Sequence, residues 1–310
     1  MKIFLTGASG LVGSAFAGVA ARRGHKVVGV VGGFEGKIEG VAKKIALDLA
    51  DEAATSGAVL EAFPDAIVNA AAVSTPEACE ADPARSQVMN VALPAALGRL
   101  AHHLSARLVH LSSEQVFDGA RRTPYSAGDP TSPINLYGRQ KVESERAVHA
   151  AAGEFAVTLR APLLMGNSAG GKRSLHERLL GDWAAGKTAK LYTDEFRQPC
   201  TAENLAEAMV ELCERRDVTG VWHWAGAELI SRHALGRRLR DHFKLTEAQA
   251  PMMAVTRSET PAAAQRRQAC LALDVAPLAG KLKTRPQTIA EQLGELTVPA
   301  PVRAWYFSQT

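Results

Sequence analysis

A serine pair, a tyrosine and a lysine have the types and spacing needed to move a proton. Ser112 and Ser113 follow Leu108, Val109, His110 and Leu111, a run that reads as a buried strand beginning at Arg107. Tyr137 opens the stretch YGRQK, which ends at Lys141. A four-residue separation sets these two side chains on one face of a helix. An ammonium beside a phenol favours phenolate and lowers the phenol's pKa. The phenol can then exchange a proton with a substrate oxygen near neutral pH, with Ser113 hydrogen-bonded to the same oxygen. Tyr-x-x-x-Lys by itself is common, as an aromatic at a helix start followed by a solvated charge. Its meaning depends on what stands around it.

At the chain's start, Lys2 to Thr6 reads as a short strand, and the turn that leaves it is TGASGLVG, Thr6 to Gly13. Gly7 permits a tight exit from the strand, Gly10 lets the backbone approach a diphosphate, and Gly13 lets the next helix pack close. That helix offers free N–H groups and a partial positive charge at its start. The spacing G-x-x-G-x-x-G also occurs in plain turns. Here it follows a strand and opens a helix, which favours a dinucleotide site. The second strand, Lys26 to Val31, ends in Gly32, Gly33 and Phe34, with no acid before Glu35. An acid there would bind the ribose 2′-hydroxyl of NAD. Its absence leans toward NADP(H), with NAD(H) still admissible and Lys37, Lys43 or Lys44 as candidate partners of a 2′-phosphate. Lys141 could then also hold the nicotinamide ribose.

The elements that must position these groups alternate. Helical rhythm runs over Leu11 to Arg23, Asp51 to Glu61 and Tyr137 to Ala152. Pro76 to His103 reads as one long helix that Pro94 kinks or interrupts. Further strands read as a weaker one at Ile45 to Leu49, then Ala66 to Asn69, Arg107 to Ser112 and Phe155 to Arg160. Near-continuous apolar strands between helices predict an α/β fold, a Rossmann-type doubly wound parallel sheet. Residues 1–160 are the expected dinucleotide-binding domain. Residues 161–310 are the expected smaller C-terminal substrate domain, with some segments returning to the sheet and helices at Ser174 to Ala185, Ala202 to Arg215 and Ser231 to His242. The terminal Trp305, Tyr306 and Phe307 suggest a docked end, on the chain itself or on a second subunit.

Composition removes other classes. Of 310 residues 46% are hydrophobic and 22% charged, ordinary for a folded soluble protein. The net charge of +4, with no Lys/Arg block, argues against a nucleic-acid partner. No apolar run is long enough to span a bilayer. Cys79, Cys200, Cys213 and Cys270 make no C-x-x-C pair and have no His at ligand spacing, so neither a disulfide framework nor a metal site is expected. The short apolar start is no signal peptide, and the expected compartment is the cytoplasm.

Together these motifs resemble the extended short-chain dehydrogenase/reductase family, nearest to its dTDP-4-dehydrorhamnose reductase branch and related nucleotide-sugar reductases. TGASGLVG is similar to the family's cofactor turn, implying Gly7, Ser9, Gly10, Leu11, Val12 and Gly13 as cofactor residues. ALDL resembles its step against the adenine, implying Asp48 and Leu49. NAAA resembles the wall beside the cofactor, implying Ala70, Ala71 and Ala72, and Asn90 stands where the family has a helix Asn. LSSEQVFDG and PINLYGRQK are similar to the branch's catalytic stretches, implying Ser113, Tyr137 and Lys141 as the catalytic set. RAPLLMG and RQPCTAENLA resemble later landmarks, and Ser74, Gln115 and Arg197 are implied on the substrate side, Arg197 near a nucleotide diphosphate.

The chain departs from that pattern. Ser113 replaces Thr, Glu114 and Gln115 replace Asp-Tyr, and Asn204 stands where Asp is usual. What the resemblance implies is an NAD(P)H-dependent reductase of a keto sugar, carried on a nucleotide and reduced at C4. Two alternatives stay open: an epimerase or dehydratase with bound NAD, for which Glu114 would be the extra acid, and a cofactor-holding regulatory subunit without turnover. A homodimer is compatible with either.

Overall fold

The computed structural model describes residues 1–259 and 267–309. Its centre is a seven-stranded sheet in which every neighbouring pair is parallel. The strands are β1 (Lys2–Thr6), β2 (Lys26–Val31), β3 (Val41–Ala46), β4 (Ala66–Asn69), β5 (Arg107–Ser113), β6 (Ala156–Ala161) and, after the short strands β7 (Leu164–Met165), β8 (Ala189–Tyr192), β9 (Phe196–Arg197) and β10 (Cys200–Thr201), β11 (Gly220–His223). Spatial order is β11-β6-β5-β4-β1-β2-β3. The order reverses between β1 and β4, and a crevice opens there at the carboxyl ends of the strands.

Alternation along β1 shows how the layers form. Ile3 and Leu5 join the apolar cluster under α1 (Leu11–Arg22). Phe4 joins the opposite cluster, with Val59 of α2 (Glu52–Ala62). Burial on both faces is why Ile3, Phe4 and Leu5 follow one another without a polar residue. Two short helices come next, α3 (Pro76–Ala81) and α4 (Pro83–Gln87), then α5 (Leu93–Leu104) and α6 (Leu136–Ala152), which complete the second layer. In the second half come α7 (Leu175–Ala184) and α8 (Ala202–Glu214); α8 covers the first face beside α1, its Leu205, Met209 and Leu212 fully buried. So α8 and β11 both return to the main sheet.

The single helix expected over Pro76 to His103 is instead four pieces. The break falls at Asp82, whose extended backbone (φ −140°, ψ 80°) is what a residue before proline prefers. Asp82 then caps α4 by accepting from the Arg85 N–H at 2.9 Å. Pro94 marks a second interruption, as expected. It lies in the first turn of α5, behind a π-helical turn at Val88–Ala92, where its missing N–H costs little. The third strand also differs: β3 lies at Val41–Ala46 rather than at Ile45 to Leu49, because its exposed Lys43 and Lys44 hide its signal at the sheet edge.

A separate apolar cluster holds much of the rest of the second half. It gathers Leu179 and Trp183 of α7, Leu235 and Leu239 of α9 (Arg232–His242), and Leu293 of the helix Ile289–Gly294. Beside it, β9 pairs with β12 (Ile230–Ser231) and, past β13 (Met252–Val255), with β14 (Cys270–Leu271). The terminal aromatics dock on this cluster, Tyr306 donating to the Phe243 carbonyl at 3.0 Å, while Phe307 stays exposed. Among the described residues no helix is long and apolar enough to cross a membrane, and no group of His, Cys, Asp or Glu is placed to hold a metal.

Candidate active site

The glycine turn folds as close packing demands. Gly7 sits at φ +67°, and a Cβ there would lie 2.9 Å from the backbone of Ala70 and Ala71. A Cβ on Gly13 would fall 2.1 Å from the Gly7 carbonyl. These contacts draw the start of α1 onto the turn. Gly10 is the N-cap of α1, no side chain caps the helix, and no acid stands in its first turn. The first amides of α1 therefore face outward with their positive end uncompensated.

They face a cleft of about 600 Å³. Eight of the residues expected at a cofactor line it: Gly7, Ser9 and Gly10 from the turn, Asp48 and Leu49 after β3, and Ala70, Ala71 and Ala72 after β4. Leu11, Val12 and Gly13 form the first turn of α1. Asn90 is fully buried and tethers the alanine wall, accepting from the Val73 N–H at 2.9 Å and donating to its carbonyl at 3.1 Å. Gly32 and Gly33 line the same cleft, so no side chain blocks it at the end of β2. Two lining arginines were not anticipated. Arg85 forms a 2.7 Å ion pair with Asp48, and Arg173 reaches in from the second half. Neither belongs to a motif, so only the assembled fold reveals them.

The expected catalytic set converges beside this cleft. β5 carries Ser113 to its carboxyl end, and α6 begins with Asn135 as N-cap, its side chain accepting from Gly138 N–H at 2.8 Å. That cap sets Tyr137 in the first turn, where the Ser113 hydroxyl hydrogen-bonds its phenol. Gly138 is obligatory, because a Cβ would stand 2.2 Å from the Gln115 carbonyl. Lys141 lies one turn on, buried, its Nζ 5.8 Å from the centre of the Tyr137 ring and donating to the Leu111 carbonyl at 2.9 Å.

The electrostatics differ from the expected lowered phenol. Burial pushes the Tyr137 phenol up to about 12, outweighing the Ser113 hydrogen bond. Burial likewise brings Lys141 down to about 8, against the pull of Glu145. Desolvation disfavours whichever form is charged. Without ligand the tyrosine is thus a firmly protonated phenol, a donor.

Behind the set lies a buried polar chain: Thr6 and Asn69 open the motifs TGASGLVG and NAAA, while no motif assigns a role to His110 or Ser144. Thr6 donates to Asn69 at 2.7 Å, Asn69 meets His110 at 3.1 Å, His110 meets Ser144 at 3.0 Å, and Ser144 donates to the Lys141 carbonyl at 2.8 Å. Burial holds His110 well below its usual pKa, so it serves as a neutral link. Gln140, bonded to Asn90 at 2.9 Å, joins α6 to the alanine wall's tether.

On the other side of Ser113 stand ionisable groups. Glu114 is buried, and burial pushes its carboxyl up to about 8 although Arg197 and Arg232 pull it down. Gln115 accepts from Asn135 at 2.9 Å, and Ser74 is exposed beyond the alanine wall. Arg197 is no surface residue: it is buried, with Glu114 and Glu195 each at 3.3 Å.

A family model described as the RmlD substrate binding domain matches residues 1–298. A dTDP-4-dehydrorhamnose reductase from Burkholderia thailandensis is 31% identical over 260 residues, 81% of this chain and 82% of that protein. The methionine adenosyltransferase 2 subunit beta of Xenopus laevis is 29% identical over 79% of this chain and 72% of its own length. A crystal structure of a hypothetical dTDP-4-dehydrorhamnose reductase from Sulfolobus tokodaii superposes with a TM-score of 0.79, covering 96% of this chain and 100% of that one at 26% identity.

Proposed function

The chain belongs to the RmlD substrate-binding-domain family of extended short-chain dehydrogenases/reductases, and from that membership we propose that it reduces a nucleotide-linked 4-keto sugar, such as dTDP-4-dehydrorhamnose, with NADPH. It is a nicotinamide-dependent oxidoreductase by family. The observation that carries the reading is the meeting of Ser113, Tyr137 and Lys141 beside a cleft floored by the glycine turn.

The cleft suits a dinucleotide. Its glycines let the turn pack closely against the alanine wall and the start of α1, and the open N-terminus of α1 suits a diphosphate. Gly7, Ser9, Gly10 and the first turn of α1 would hold that diphosphate, Asp48 and Leu49 the adenine, and Ala70 to Ala72 the far wall. When bound, the cofactor supplies the hydride. The preference for NADP(H) rests on Gly32 and Gly33, which put no carboxylate at the end of β2, and on Arg85 across the cleft.

Tyr137 is the proposed general acid, giving its phenolic proton to the oxygen of the substrate carbonyl. Its high pKa keeps that proton in place until a developing alkoxide draws it. Ser113 orients the carbonyl oxygen by a second hydrogen bond. Lys141 brings a positive charge that steadies the phenolate left behind. Ser74 and Gln115 would contact the sugar side. Residues 161–310 supply mainly the substrate half and 1–160 the cofactor half. The four buried free cysteines support a reducing cytoplasmic setting.

A test is NADPH oxidation followed by absorbance with dTDP- and UDP-linked 4-keto sugars. Turnover of a keto sugar nucleotide is expected, and none across the panel would refute the reductase. A second reading, a cofactor-holding subunit of another enzyme, is favoured by the likeness to the methionine adenosyltransferase subunit. NADPH binding without turnover, with a stoichiometric partner in a pull-down, would select it.

A further inference from the structure

An alternating row of charge leads away from Ser113. Glu114 pairs with Arg197 Nε at 3.3 Å, Arg197 with Glu195 at 3.3 Å, and Glu195 with Arg232 Nε at 3.7 Å and Arg267 Nη1 at 3.5 Å. The acids and Arg197 are nearly sealed from solvent, so each unmet polar atom there is costly.

Counting donors separates the arginines. A guanidinium has five N–H groups. Arg197 commits Nε to Glu114 and Nη2 to Glu195, while Nη1 serves the carbonyls of Phe196 at 2.7 Å and Gln268 at 3.1 Å. It is held on every nitrogen. Arg232 is not: its Nη1 is buried and has no hydrogen-bond partner among the described residues, and neither does Glu114 Oε2 at the row's other end. The row has two open ends, a cationic donor and a carboxyl oxygen next to the catalytic serine.

The charge around these ends suits an anionic ligand. The charge of Arg232 reaches Glu114, and that of Glu114 reaches Tyr137. On its other side Arg232 feels Arg178, which donates to the carbonyl of Arg173, and Arg173 lines the cofactor cleft. Arg178, Arg197, Arg232 and Arg267 stand against Glu114 and Glu195, with exposed Glu77 3.9 Å from Arg267 at the rim. Positive charge is in excess, as a doubly negative diphosphate ester needs.

We propose that Arg232, through its open Nη1, binds the diphosphate of the substrate's nucleotide, and that Arg197 is a positioning residue that pins Glu114 beside Ser113. This rests on the nucleotide-sugar reading above. Glu114 Oε2 then meets a sugar hydroxyl.

The experiment measures calorimetric binding of dTDP, and separately of UDP, to the NADPH-loaded full chain. Arg232→Met should weaken the nucleotide at least about tenfold, with NADPH affinity and melting temperature kept. Arg232→Lys, which keeps the charge, should recover part of the loss and raise KM for a keto sugar nucleotide without lowering kcat. Arg197→Met should keep dTDP affinity and lower kcat, which Arg197→Lys should restore in part. If Arg232→Met binds as tightly as the parent, or if only Arg197→Met loses the nucleotide, the assignment is overturned. The same follows if the parent binds neither nucleotide. Absence of turnover with intact, Arg232-dependent dTDP binding would instead refute the reductase reading alone.

Discussion

The two ends of this active-site region are built from different materials. The cofactor end is backbone: glycines at 7, 10 and 13, a run of alanines at 70–72, and the open amides of α1. The substrate end is side chains, a row of carboxylates and guanidiniums from β9, the start of α9 and the approach to β14. A backbone cradle is fixed by sterics. Its tolerance is nearly all-or-none, since a methyl either fits or strikes a carbonyl. A charged row is fixed by balance, and can be retuned one residue at a time. On the proposed assignment, a change of substrate would be made at the retunable end.

The sharpest way to break the comparison is to act where the two ends meet. Tyr137→Phe removes the proton and keeps the ring. It should lower kcat by about 10² to 10⁴, the usual worth of a general acid, while NADPH binding persists. Fluorescence titration of NADPH alongside the turnover assay would check it, and unchanged turnover would remove Tyr137 from the chemistry. Next in size is a test of the backbone end. A Cβ on Gly10 would meet only the Gly7 carbonyl, at 3.1 Å, a tight contact that a shift of a few tenths of an ångström relieves, and Gly10 lines the cleft that a valine side chain would crowd. Gly10→Val should weaken NADPH at least about tenfold with little change in melting temperature. Gly13→Val, aimed at a carbonyl 2.1 Å away, should instead yield a protein that melts early or fails to fold. Equal behaviour of the two would mean that the turn is packing alone.

The same contrast governs what the sequence discloses. The cofactor end is local: Gly7, Gly10 and Gly13 lie within one turn, and Tyr137 and Lys141 within one helical repeat, so their spacing carries their geometry. The doubly wound sheet is legible for the same reason, since strands buried on both faces are apolar without interruption. Edge strand β3 is misjudged because its exposed lysines break that signal. The division of Pro76 to His103 is read only in part because two prolines look alike in sequence, and only the cap by Asp82 and the π turn before Pro94 tell them apart. The charged row is legible only in part. The family resemblance singles out Glu114 and Arg197, but Glu195, Arg232 and Arg267 share no periodicity with them, and each of these alone reads as a solvated residue. The phenol's pKa was misjudged for a related reason: a neighbouring charge shows in spacing, whereas burial does not.

A smaller effect follows from Lys141, which touches both ends. Burial brings its ammonium down to about 8, so it is charged at pH 7 and loses its charge as pH rises through that value. In the free enzyme kcat/KM should therefore fall above about pH 8, approaching tenfold per pH unit. Lys141→Met should be slow at every pH and lack that limb. A limb that survives in Lys141→Met belongs to another group, and Glu114, also near 8, is the first to examine.

The smallest expected effect belongs to Glu114 and concerns stability. Its carboxyl titrates near 8 when folded, against an ordinary value of 4.5. Burial is the main cause, and Glu195 adds to it while Arg197 and Arg232 oppose it. Between those two pH values the folded chain holds a proton that the unfolded chain has released. Stability from this group is thus full below about 4.5 and is lost as pH climbs toward 8. Glu114→Gln has no proton to lose and keeps the side chain's shape. Its melting temperature should gain on the parent's by a few degrees between pH 5 and pH 8. Parallel curves over that range would mean that Arg197 holds Glu114 ionised throughout, making the row a closed set of ion pairs at its inner end. A rising difference means that the carboxyl next to Ser113 stays protonated in the empty enzyme, and that its open oxygen has a proton to offer an incoming sugar.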